Sequence, residues 1–429
     1  MRRILILTSI LVAATVQAQT TLTFRQALQR AVEVNNTVER ARADITVAEA
    51  TKEQLLSNVM PRITATGNAV RNSEEVSFGS GSDKSTVLPR NDWSYRVVLS
   101  QPVFAGRREL RAYSQAKLGI LSAQQAELGT EDAVLLRVAS NYLALINAEA
   151  RINIEKRNID LAEKRRTQAS AFFEAGEVTK VDVLRAETAI KASQRVLAVN
   201  EQNRENAESR LRADLDLDGA IVATTPEQPM PAVPEESTLI SKAETVRPDV
   251  VLAGNNLKIA ELEIQKQRGF WLPTITFDGG WINQKAQLPA SRYSYGALRF
   301  NVPLLQSGEV EARVANAKAR ELQAKLDLDT AKINAREDVR QALATLHAAE
   351  TNLVLAKEQL TAAEAEYAQE FELYRAQEAT SLDLATSEQS LADARRAVAE
   401  ETLNRDVAAL RVWYASGAMR EALNLGANQ

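Results

Sequence analysis

The sequence predicts a mainly α-helical fold made of one unit used twice, with a pair of β-strands in each unit and long coiled-coil helices after it. Three observations lead there. Long segments without proline repeat apolar residues every seven positions, as in Leu346, Leu353, Leu360, Tyr367 and Tyr374. Short motifs recur about 201 residues further along the chain, so that Ser100-Gln101-Pro102-Val103-Phe104-Ala105-Gly106 returns as Asn301-Val302-Pro303-Leu304-Leu305-Gln306-Ser307-Gly308. Four runs of about ten residues alternate between two sets of side chains, the last with a change of phase, the period of a strand with two different faces. Ala, Leu, Glu, Gln, Arg and Asp dominate the 429 residues, while only 5 % are aromatic, a profile of long helices.

The order of elements starts with an export signal. Met1-Arg2-Arg3, an apolar run from Ile4 to Val16 and small residues at Val16 and Ala18 predict a signal peptide over 1–18. The first repeat follows over 19–215, a Pro-rich linker over 216–237, the second repeat over 238–417 and a C-terminal tail over 418–429. Phe24 to Val59 reads as the first helix, ended by Pro61; Leu239 to Trp271 is its counterpart, ended by Pro273. Strand pairs are expected at 62–71 with 92–101, and at 274–282 with 293–302. In the last strand the alternation changes phase near Ala297, from Tyr293 and Tyr295 to Leu298 and Phe300, which predicts a β-bulge there.

Gly106 to Glu174 and Gly308 to Tyr374 then read as helices on the order of 100 Å long at ~1.5 Å per residue. In the first copy the seven-residue seam is Leu145, Ile152, Ile159, Arg166 and Phe173; after the second turn it is Leu384, Leu391 and Val398. Such seams bring helices together as supercoiled pairs. The strands have the length that a tilted strand needs to cross a bilayer, about 9–11 residues. Trp93, Tyr95, Trp281 and Tyr293 suit the lipid interface. Four strands cannot close a barrel, because even small membrane barrels need about eight, and an open edge is not tolerated in lipid. Several chains must therefore share one barrel.

Composition excludes much else. Without Cys and with a single His, His347, there is no disulfide, thiol nucleophile or multi-His metal cluster. A net charge of −4 gives no general attraction to nucleic acid. Phosphate loops, zinc-protease motifs and serine-hydrolase elbows do not occur. No catalytic residue, cofactor or metal is expected, and the chain is not read as an enzyme. Arg107, Arg108 and Arg111, beyond the strand exit, either meet lipid headgroups or solvate a helix face; solvation is the favoured reading.

Signal peptide, duplicated helix–strand pair–helix–turn–helix units and the paired Pro-to-Gly strand exits together resemble the TolC family of outer-membrane efflux proteins, over roughly Leu22 to Gly417. The resemblance implies a homotrimer in which three chains give four strands each to a twelve-stranded β-barrel in the outer-membrane lipid. A coiled-coil α-barrel would continue it into the periplasm. The channel would be a passive conduit of a tripartite efflux or type I secretion system, gated at its periplasmic helix tips. A periplasmic adaptor and an inner-membrane pump are the implied partners. Gly176, Glu177, Val178 and Thr179 would form the first adaptor-contacting tip, and Gln377, Glu378, Ala379 and Thr380 the second. By the same resemblance Asp383 would ring the pore, and Asp182 would bond the hydroxyl of Tyr374 in the gate. Both aspartates also fit helix-capping boxes, Thr179-x-x-Asp182 and Thr380-x-x-Asp383, and the two roles are compatible. The alternative is a soluble periplasmic coiled-coil adaptor or scaffold, against which stand the bilayer-length strands and the two separate coiled-coil hairpins.

Overall fold

A computed structural model describes residues 20–81, 84–225, 231–376 and 378–425. The expected signal peptide, Pro226 and Pro229 of the linker, the last residues of the tail and Gln377 of the second tip lie outside them. Along the chain come β1 (Thr20–Leu22), α1 (Phe24–Val34), α2 (Asn36–Ser57), β2 (Arg62–Arg71), β3 (Val76–Phe78), β4 (Ser85–Leu88) and β5 (Asn91–Ala105). These lead into α3 (Arg108–Glu174), α4 (Lys180–Leu215) and β6 (Ile221–Ala223). The second half holds α5 (Glu236–Val246), α6 (Pro248–Arg268), β7 (Thr274–Gln284), β8 (Arg292–Asn301), α7 (Glu309–Arg375), α8 (Ser381–Ala415) and α9 (Met419–Ala422).

Two compact units divide the chain. One comprises Arg40–Gly129 and Pro248–Asn334; the other comprises the chain up to Glu39, Thr130–Arg247 and the chain from Ala335. In the first unit β2, β5, β7 and β8 form an antiparallel sheet in that order, and β3 and β4 form a separate ribbon. Strand β5 bends into α3 through Gly106 at φ 65° and Arg107 at φ 61°. A Cβ at Gly106 would lie 2.2 Å from the Gly269 carbonyl oxygen, so only glycine fits this turn.

The second unit has its own core. Leu28, Leu135, Tyr142, Leu145, Leu211, Leu215, Ile221, Leu410 and Met419 are all fully buried within it. Here β1 and β6 pair in parallel, Thr20 with Ile221. The Tyr142 hydroxyl holds that pair, lying 2.7 Å from the carbonyl oxygens of Leu22 and Thr224 and accepting from the Thr224 N–H at 2.9 Å.

The structure corrects three local expectations. Phe24 to Val59 is not one helix: Asn35 is extended, its Oδ1 accepts from the Thr37 N–H at 3.1 Å, and its Nδ2 donates to the Asp214 carbonyl. An Asn side chain that satisfies the orphan donors of a new helix start competes with helix continuation. Leu239 to Trp271 likewise breaks at Arg247, whose ψ of 128° is forced by the proline that follows at the first position of α6. The bulge lies in β5 instead of β8. Pairing of β5 with β7 skips Val103 between Pro102 and Phe104, beside a proline that cannot donate to the ladder.

Candidate functional site

The four-stranded sheet is built from two dissimilar faces. Directly opposed residues of a ladder share a face, so the pairings sort every strand residue. Ile63, Ala65 and Gly67 on β2 fall with Leu99, Val97 and Tyr95 on β5, and these with Gly279, Trp281 and Asn283 on β7. Phe277, Leu298 and Phe300 complete that apolar face through β7 and β8. On the other face stand Thr64, Thr66 and Asn68, then Arg96 and Ser100, then Thr276 and Asp278, then Arg299. The Arg299 guanidinium pairs with the Asp278 carboxylate at 2.8 Å. An apolar outside and a polar inside is the pattern of a membrane barrel wall.

The same sorting decides the aromatic residues. Trp93, Tyr95 and Trp281 lie on the apolar face, with Trp93 and Tyr95 ring centroids 5.5 Å apart. Tyr293 does not join them: it opposes Ile282, on the polar face beside Tyr295. Register between β7 and β8 runs unbroken from Thr274–Asn301 to Asn283–Arg292. The phase change read near Ala297 is therefore the two faces of one regular strand, aromatic in its first half on one side and in its second half on the other. Tyr295 reaches over Gly280, where a Cβ would meet its ring at 2.4 Å.

In the other unit the coiled-coil hairpins end in two short tips. The first tip closes α3 with Gly176 at φ 78°, the Glu177 N–H donating back to the Phe172 carbonyl at 2.9 Å, a glycine C-cap. Thr179 and Thr380 are the N-caps of α4 and α8. Their N–H groups donate to Asp182 and Asp383, each at 3.1 Å. Both aspartates thus complete capping boxes, and helix N-termini favour their negative charge. Hydrogen bonds from the Thr380 side chain and N–H hold the Asp383 carboxyl below the usual carboxylate range. Gly176, Glu177, Thr179, Glu378 and Thr380 are exposed, and Val178 and Ala379 are half-buried.

Asp182 does more than cap. Its Oδ1 accepts a hydrogen bond from the Ser381 hydroxyl of the second tip, and Arg185 Nη1 sits 3.5 Å from the same oxygen and 3.3 Å from the serine Oγ. Burial pushes this carboxyl up, but hydrogen bonds from Ser381 and Thr179, with Arg185 beside it, outweigh that and hold it below its ordinary value. Tyr374 is 4 % exposed, and among the described residues its hydroxyl meets no hydrogen-bond partner. Its ring packs edge-on to Phe172 at 6.0 Å. Burial and the nearby Asp182 charge both raise its pKa. The tips of one chain are therefore joined by Asp182, Ser381 and Arg185, with Tyr374 close by but unbonded. Sequence reading missed Ser381 and Arg185, since nothing local links positions on separate hairpins.

Higher on the coils, polar groups are paired across helices. Arg396 clasps Glu155 with Nε and Nη2 at 2.6 and 3.1 Å, and Arg165 pairs with Glu388. Glu155 and Arg165 are 0 % and 6 % exposed. The first-copy seam thus runs through these charges and Ala162 and Ala169, while the expected members Arg166 and Phe173 are exposed. No helix among the described residues is long and apolar enough to cross a membrane, and among them no group of three or more His, Cys, Asp or Glu could hold a metal ion.

Comparison with known proteins agrees with this geometry. The outer membrane efflux protein family matches over residues 27–215 and 239–418. Outer membrane efflux protein BepC of Brucella suis biovar 1 is 21 % identical over 97 % of this chain and 90 % of its own. Among solved structures, CusC superposes with a TM-score of 0.79 at 16 % identity, covering 92 % of this chain and 91 % of its own. The Campylobacter jejuni CmeC outer membrane channel superposes with a TM-score of 0.77 at 17 % identity, covering 92 % and 86 %. With a sheet that has one lipid-like face and with long coiled-coil helices, the chain belongs to the outer membrane efflux protein family, as an outer-membrane channel whose helical part extends into the periplasm.

Proposed function

We propose that three copies of this chain close one twelve-stranded barrel and form a passive export conduit, gated where the helix tips meet. One observation carries the assembly: the sheet has four strands, one apolar and one polar face, and unpaired outer edges on β2 and β8. Two chains would give a barrel of about eight strands, whose interior side chains fill. Three leave a tunnel lined by the polar face, in accord with the resemblance to the TolC family. The exposed tips at 176–179 and 378–380 are the surfaces offered to a periplasmic adaptor, which would couple the conduit to an inner-membrane pump.

The test is the native mass of protein extracted by detergent from isolated outer membranes, followed by conductance in planar bilayers. About three chains per particle and discrete conductance steps are expected. A monomer, or a particle that conducts nothing, would sink the proposal.

A further inference from the structure

Between α3, α4 and α8 lies a cavity of about 270 Å³ that the channel function does not use. Alanines 144, 148 and 207 leave the space, and the walls around it are amides and guanidiniums. From α4 come Asn200, Asn203, Asn206 and Arg210, spaced three and four apart so that they share one face. Arg151 enters from α3. Among the described residues no carboxylate lines the cavity; Glu400 lies outside it, 4.0 Å from Arg151.

Two donors in this wall are buried without an acceptor. Asn200 is 3 % exposed, and among the described residues its Nδ2 meets no hydrogen-bond partner; the Nε of Arg151 is likewise buried and unpartnered there, although that side chain is 30 % exposed. Their neighbours differ: Asn141 Nδ2 donates to Asp214 at 3.0 Å and Asn147 Nδ2 to the Ala399 carbonyl at 2.5 Å. A buried donor left unmade is costly, roughly 1–3 kcal/mol, and proteins keep such groups where something satisfies them. The two unmade donors belong to a site lined by two guanidiniums, with the nearby carboxylates of Glu400 and Asp214 outside its lining.

From this geometry we infer a binding site for a small oxyanion, a phosphate or a carboxylate. Its oxygens accept from Asn200 Nδ2 and Arg151 Nε, and Arg210 contributes charge at the mouth. Planar guanidinium donors suit both kinds of oxyanion. The site is complete within one chain, so it stands whether or not the trimer and gate proposals do.

The test is a titration of the purified, detergent-solubilised protein with inorganic phosphate and, separately, with succinate. Both are run at constant ionic strength in chloride, reading heat of binding and unfolding temperature. Saturable binding of at least one is expected, weakened at least tenfold in Asn200→Asp, which sets a carboxylate against the ligand, and in Arg151→Gln. Arg195→Gln, an exposed change elsewhere on α4, should bind like the parent. Asn200→Ser, which cannot repel the ligand, serves if Asn200→Asp fails to fold. Phosphate alone, succinate alone or both identify the oxyanion. Binding that neither the Asn200 change nor Arg151→Gln weakens, or no saturable binding at all, overturns the site.

Discussion

Replacing Ser381 with alanine should loosen the tips, and replacing Tyr374 with phenylalanine should not. In the structure the Asp182 carboxylate takes its cross-hairpin hydrogen bond from Ser381, while the Tyr374 hydroxyl bonds no other described residue. A hydrogen bond to a charged group contributes about 1.5–3 kcal/mol. Arg185 is 43 % exposed beside it, so solvent screening keeps the value near the lower end. About 1.4 kcal/mol is a tenfold change in an equilibrium. Ser381→Ala should thus raise the ratio of open to closed tips roughly tenfold per chain, read as open-time fraction in single-channel recordings at neutral pH. Ser381→Thr keeps the hydroxyl and should behave like the parent. Because the Asp182 carboxyl is held below its ordinary value, its link is complete above the usual carboxylate range and is lost as pH falls through the lowered pKa. Opening of the parent channel should rise only on strong acidification, and less so in Ser381→Ala. If Tyr374→Phe opened the channel as much as Ser381→Ala, the assignment of the link to Ser381 would be wrong.

Other outcomes follow from the same structure. Asp383→Ala should weaken block by multivalent cations added from the periplasmic side in planar bilayers, since three exposed carboxylates would ring the pore; unchanged block would leave Asp383 as a helix cap. Glu155→Ala removes the buried partner of the Arg396 guanidinium, which is 20 % exposed and keeps Asp393 at 2.7 Å, and should cost about 1.5–3 kcal/mol, seen as a lower unfolding temperature of the extracted protein. Burial pushes the Asp132 carboxyl up to about 6 from 3.8, a difference on the order of 3 kcal/mol. A raised carboxyl favours the folded state fully below the unfolded value and loses that contribution as pH rises through about 6. Asp132→Asn should therefore stabilise the protein at pH near 8 but not near 4, and equal effects at both would refute the burial account.

Elements that depend on local pattern were legible in the sequence. The seams at Leu346, Leu353 and Leu384, Leu391 are buried as their seven-residue spacing requires, and alternation located the strands of the four-stranded sheet. Readings failed where a distant partner or a single cap decides. The helix break at Asn35 depends on that side chain turning to Thr37 and reaching Asp214, far along the chain. Strand β8 carries aromatics on both of its faces, so its alternation alone could not distinguish a bulge from a regular strand; only its pairing with β7 does. In the first-copy seam a one-residue shift replaces Arg166 by Arg165, because Glu388 on α8 offers Arg165 a partner. Ser381 was visible only as the neighbour of a capping threonine, with no sign of Asp182 across the gap.

The open edges of the sheet carry a consequence for how the protein is made. Before its partners arrive, a single chain offers free backbone donors and acceptors on β2 and β8 beside a face of Ile63, Phe277, Leu298 and Phe300. Such an edge templates non-native pairing, and incompletely assembled chains with exposed apolar surface aggregate. If three chains share the barrel as proposed, the stage before they meet is the hazardous one for this protein.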